Sequence, residues 1–159
     1  MIKPKRCVVP QNARTVLPAA DYADAYEAEL PGQLSAMDAA RKVLSGSPRW
    51  EAPLLVLRNA LVKPFGLASS KDAALLKGEH VSFFPVLETT QNRVVLGLDD
   101  RHLNFRLVVD AKPLPENLTH VTLSTVITRH NLLGRIYLAM VLPFHKLIVP
   151  SFLRGGQTR

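Results

Sequence analysis

From Val81 onward, apolar residues recur at every second position, and this change of period constrains the fold more than any other feature of the chain. Val81 to Glu88, Arg93 to Leu98, Leu103 to Asp110 and Leu118 to Arg129 each read as a strand. The connections are short: Thr89 to Asn92, Asp99 to His102 and the proline-rich Ala111 to Asn117. Parallel neighbours would need a crossover of about a dozen residues or more, so the runs predict an antiparallel meander. In the third run Leu103, Phe105, Leu107 and Val109 alternate with His102, Asn104, Arg106 and Val108. In the fourth, Val121, Leu123, Thr125 and Ile127 alternate with His120, Thr122, Ser124 and Thr128. The pattern predicts one wet face and one buried face, and a buried face needs a cover.

Candidates for that cover lie on both sides of the meander. Upstream, Tyr22 to Leu30 reads as a first strand, with Tyr22, Tyr26, Ala28 and Leu30 on one side and Glu27 and Glu29 on the other. Pro18 and Pro31-Gly32 bound it. Ser35, with Asp38 three residues on, predicts a helix N-cap, followed by Met37, Ala40, Val43 and Leu44 at helical spacing. Gly46 ends that helix, and Ser47-Pro48 opens a second, in which Trp50, Leu54, Leu57, Leu61 and Phe65 share one side. Pro64 and Gly66 close it, while Pro53 is discordant and moves the regular start inward.

Downstream, Asn131 to Phe152 is the one long helix available. Ile136, Tyr137, Met140, Phe144, Leu147 and Ile148 form a broad stripe expected to face the sheet, with Arg135 and Lys146 opposite. Leu138, Leu142 and Val149 fall near those two cations, so the outer side is also partly apolar and needs a second partner. The earlier helices, a second copy of the chain or a membrane surface would serve. Pro143 should bend the helix. Strand, two helices, four-strand meander and long C-terminal helix together predict an α+β helix-grip fold, a curved antiparallel sheet packed on its last helix, with a cavity between them.

Composition narrows the class. The chain has 159 residues, 47% of them apolar and 21% charged, which excludes wholesale disorder and suits one domain, expected over 19–153. A single cysteine, Cys7, excludes an internal disulfide and a cysteine-based zinc cage. The net charge of +7 is scattered except for Lys3, Lys5, Arg6 and Arg14, which predict a mobile basic arm over 1–18; residues 154–159 read as a C-terminal tail. Sparse aromatics without an RNP-like or helix-turn-helix spacing argue against nucleic-acid binding. Cys7-Val8-Val9-Pro10 interrupts any signal-type apolar core, so a cytoplasmic location is expected. Leu132 to Leu153 is long enough to span a bilayer, but Arg135, Pro143, His145, Lys146 and Pro150 argue against a transmembrane segment.

Three separated motifs carry a resemblance. Trp50…Leu57-Arg58-Asn59-Ala60-Leu61-Val62…Phe65-Gly66-Leu67 comes first, and Leu96-Gly97-Leu98-Asp99-Asp100-Arg101-His102-Leu103 second. The third is His130-Asn131…Gly134-Arg135-Ile136-Tyr137…Pro143-Phe144-His145…Ile148-Val149. In this order they resemble the uncharacterised bacterial family known as domain of unknown function 2867, over about Ala19 to Leu153. Members of that family resemble the START and Bet v 1 helix-grip superfamily, and some are fused behind an NAD(P)-binding Rossmann domain. The resemblance implies a pocket but no established reaction, so no catalytic residue is carried over.

Several constellations remain to be read for themselves. Asp99-Asp100-Arg101-His102 could supply an acid/base pair, though tight turns use the same residues and Arg101 can pair with either carboxylate. Asn131 should cap the last helix, leaving His130 and Arg135 to bind an anion, or Arg135 to pair with Asp99 or Asp100. His145 is either a general base facing the pocket or the partner of a backbone group or carboxylate. The five histidines show no HxxxH or HxH spacing, so no metal is expected, and no residue pattern implies a cofactor. Trp50, Phe65 and Phe83 are expected apolar walls.

The expected ligand-binding residues are Phe105, Tyr137, Met140 and Phe144 as lining, with Arg106, His130 and Arg135 as polar contacts. The leading expectation is a domain that binds a small hydrophobic or amphipathic molecule. An enzyme, or the detached accessory substrate domain of an NAD(P)-dependent oxidoreductase with a reductase partner, is the alternative. An interaction module whose outer helix face docks a partner or itself, as in a homodimer, is the third.

Overall fold

Period-two alternation and short polar turns do produce an antiparallel sheet. The computed structural model describes residues 1–45, 78–82, 84–99 and 101–158. In chain order its elements are β1 (Lys5–Cys7), α1 (Gln11–Arg14), β2 (Tyr22–Pro31), α2 (Ala36–Leu44), β3 (His80–Val81) and β4 (Phe84–Thr89). They are followed by β5 (Arg93–Asp99), β6 (Leu103–Leu114), β7 (Leu118–Arg129) and α3 (Leu132–Gln157). The strands form one seven-stranded sheet in the order β1-β2-β7-β6-β5-β4-β3, with every pair antiparallel. The expected second helix from Trp50 to Phe65, with Phe83 and Asp100, lies outside the described residues.

The first meander run divides at Ser82, whose φ of 57° lies in the left-handed region and ends the two-residue β3. A register shift between Val86 and Glu88 then distorts β4 against β5. β6 continues past Asp110 to Leu114, so the turn to β7 is tighter than its prolines suggest. Consecutive positive φ angles at Glu116 and Asn117 reverse the chain there.

On one face of the sheet Leu30, Val94, Leu96, Val109, Val121 and Leu123 pack with Val43 and Leu44 of α2 and Val149 and Leu153 of α3. Ser35 caps α2 as expected, its hydroxyl accepting from the Asp38 backbone N–H at 3.1 Å. Asn131 does the same for α3, accepting from the Gly134 N–H at 3.0 Å.

The opposite face departs from expectation. Residues 1–18 are not a free arm: β1 extends the sheet at β2, and Val9, Ala13 and Val16 pack on Val95 and Val108. Val108, Ser124 and Val126 are therefore buried where a wet face was expected. Arg93 fastens this layer, forking onto Asp110 at 2.6 and 2.8 Å while donating to the Asn12 carbonyl at 2.9 Å. The expected C-terminal tail is likewise structured to Gln157, which donates to the carbonyls of Ile2 at 2.6 Å and Glu29 at 2.9 Å.

The last helix is turned around relative to its expected orientation. Gly134, Leu138, Val149, Leu153 and Gly156 face the protein, and Ile136, Met140, Phe144 and Leu147 face outward. Close approach explains the choice. A Cβ on Gly134 would collide with the His102 carbonyl oxygen, and one on Gly156 would press on Val43 at 3.2 Å and Leu30 at 3.3 Å. Only a helix presenting both glycines inward can lie this near the sheet.

Candidate functional site

Tyr22, Asp24 and Tyr26 occupy alternate positions of β2, on the side that α3 covers. Asp24 is thus an acidic residue at an inward position, and it is buried. The Tyr22 hydroxyl donates to its Oδ2 at 2.7 Å, and His145 Nε2 of α3 lies 3.1 Å from its Oδ1. Burial pushes this carboxyl up, but the bond and charge of His145, the Tyr22 hydroxyl and the Arg6 charge together outweigh it, and it sits below the ordinary Asp range. Burial and the adjacent Asp24 push the Tyr22 hydroxyl far up, so it stays a donor.

An ionised carboxylate can only accept, so Nε2 is the protonated nitrogen in the bond from His145 to Asp24. The Tyr22–Asp24–His145 chain then fixes the orientation of the ring. This is the arrangement by which a carboxylate orients an imidazole base. Opposite Asp24 in the sheet register stands Thr125. Its Oγ1 is buried on the same face with no hydrogen-bond partner among the described residues. The Ser124 Oγ is in the same condition on the other face.

The seven expected ligand-binding residues do not converge. Phe105 is half-buried on the helix side, its ring 5.6 Å from that of Phe84, and Tyr137 is half-buried on α3. Met140 and Phe144 were expected to line the interior, but they lie on the outer face because the glycines turn α3 the other way. Arg106 alternates with Phe105 and so leaves the sheet on the opposite side, donating to Asp99 at 2.7 Å. Gly97, its cross-strand neighbour, leaves room for that side chain. Asp99 is thus engaged by Arg106, and Arg135 is exposed on the first turn of α3; its other expected partner, Asp100, lies outside the described residues.

His130 is exposed and bonded through Nε2 to Asn104 Oδ1 at 3.0 Å, while its N–H donates to the His102 carbonyl at 2.9 Å. His102 Nδ1 lies 2.9 Å from the Asn131 amide nitrogen. These bonds tie the β5–β6 turn to the start of α3. Among the described residues no group of three or more His, Cys, Asp or Glu side chains converges as a metal site.

Sequence reasoning singled out His145 but missed Asp24 and Thr125. The signal for Asp24 was present, because the alternation that placed Tyr22 and Tyr26 inward places Asp24 between them. Nothing local could have paired it with a histidine 121 positions away.

Among known proteins, the profile of a family described as a protein of unknown function (DUF2867) matches residues 16–152. No curated protein matches the chain. A conserved protein from Geobacillus kaustophilus of known structure is similar at 14% identity and a TM-score of 0.43, over 86% of this chain and 93% of that one.

Proposed function

The chain belongs to the DUF2867 family of proteins of unknown function, and from that premise we propose that it binds a small hydrophobic or amphipathic molecule between the sheet and α3, in a helix-grip arrangement. One observation carries the reading: the helix-facing side of the sheet combines the half-buried Phe84–Phe105 pair with a buried Thr125 hydroxyl, beside Asp24, that has no hydrogen-bond partner among the described residues. A hydroxyl taken out of water without a partner costs about 1–3 kcal/mol. Protein interiors rarely keep such a group without a use for it. An amphipathic guest would set its apolar part on Phe84 and Phe105 and its polar end on Thr125 and His145.

Native mass spectrometry of the protein as purified tests this directly, followed by titration with a fluorescent fatty-acid analogue. We expect a retained small molecule or saturable probe binding, weakened in Thr125→Val and Phe105→Ala. Absence of both, with Thr125→Val more stable than the parent, would mean a filled core and would overturn the proposal.

A further inference from the structure

Among the described residues, α3 presents an apolar face that is left exposed. Leu132 is 71% exposed, Ile136 48%, Met140 42%, Phe144 44% and Leu147 67%. At about 100° per residue these five fall within roughly a third of the helix circumference, opposite the buried line of Leu138, Val149 and Leu153. The stripe runs from the first turn to the middle of the helix. It is a continuous surface, unlike the scattered single apolar residues common on protein exteriors.

Charge indicates what covers it. No acidic residue follows Glu116 in the sequence, so α3 carries Arg135, Lys146 and Arg154 with no carboxylate among them. All three are exposed. At the same 100° per residue Arg135 and Lys146 lie beyond the Leu132 edge of the stripe, on the side toward Leu153, and Arg154 lies in line with its far end. Two copies joined through this face would set cation against cation with no acid on either helix to answer them. A bilayer carrying anionic lipid meets both demands, hydrocarbon for the stripe and phosphate for the cations.

We propose that this face of α3 lies flat on an anionic phospholipid surface, with Leu132, Ile136, Met140, Phe144 and Leu147 inserted among the acyl chains and Arg135, Lys146 and Arg154 at the headgroups. α3 is long and apolar enough to cross a membrane by length and composition, yet a crossing would strip it from the sheet and break the His145–Asp24 contact. Lying flat leaves the fold intact. This inference uses the outer surface of α3 and is independent of the binding proposed beneath it.

Co-sedimentation of the full chain tests the idea, using phosphatidylcholine vesicles with and without a third of phosphatidylglycerol. We expect binding to the anionic vesicles that falls as salt is raised and is weak on pure phosphatidylcholine. Leu147→Glu should weaken it by at least about tenfold, through lost hydrocarbon burial and a repelled charge. Lys146→Gln should weaken it by about fivefold. Both positions are exposed, and thermal melts of the variants check that folding is unchanged.

Sedimentation no greater than without vesicles would overturn the proposal, as would equal binding to both vesicle types or undiminished binding by Leu147→Glu. A wild-type dimer that Leu147→Glu converts to a monomer, without vesicle binding, would assign the face to a second copy and overturn it equally.

Discussion

Along α3, Leu138, Val149 and Leu153 are buried while Leu132, Ile136 and Leu147 are exposed, although the six side chains are chemically alike. What separates the two sets is their company. The inner line includes Gly134 and Gly156, which let the helix approach the His102 carbonyl, Val43 and Leu30. It also includes His145, the partner of buried Asp24. The outer line has no such fixtures. Hydrophobicity therefore drives α3 onto the sheet, and close contact at the glycines, with one polar pairing between them, decides which way it faces.

The largest expected effect lies on the inner side. Leu153 is fully buried among residues of α2 and the sheet, and Leu153→Ala should lower stability by about 2–5 kcal/mol. Denaturant titration measures the change. A loss below about 1 kcal/mol would mean that the inner face is loosely packed, and the contrast between the two faces would fail.

His145→Ala sharpens the polar half of the comparison. It leaves the Asp24 carboxylate buried with Tyr22 as its remaining side-chain donor, and should lower stability at neutral pH by about 1–3 kcal/mol. The pH dependence follows from the direction of the shift. The Asp24 carboxyl is lowered in the folded protein, so its contribution is fully present above the ordinary Asp value of about 3.9 and is lost as pH falls through the lower folded value. The stability difference between parent and variant should therefore shrink below about pH 4. A difference that stays constant on acidification would show that His145 acts through packing rather than through a charged partner.

This contrast also explains what was legible in the sequence. The strands were, because a period of two with short turns allows few alternatives; Leu107, Val109, Val121 and Leu123 face the core as their alternation predicts, although the opposite face is covered as well. The facing of α3 was not, because a helix apolar on every side yields a plausible stripe in more than one direction. Gly134 and Gly156 were the overlooked markers. The N-terminal segment was misread for a related reason. Its cations suggested solvent, whereas Val9, Ala13 and Val16, spaced by four and three, were the residues that packed. In the candidate site the polar position of Asp24 was readable and its bond to His145 was not, since that bond exists only once α3 has been laid over β2.

The smallest expected effect is the one most able to break the comparison. Leu147→Ser removes an apolar side chain of the same kind as Leu153, and should change stability by no more than about 0.5 kcal/mol, because that side chain is largely in water in the folded chain as in the unfolded one. Denaturant midpoints at two protein concentrations measure it. A loss approaching that of Leu153→Ala at both concentrations would mean that the chain itself covers the outer face. The same loss at the higher concentration alone would mean that a second copy does. A change near zero at both leaves the outer stripe as surface that folding does not need, which makes it available for contact with something other than the protein.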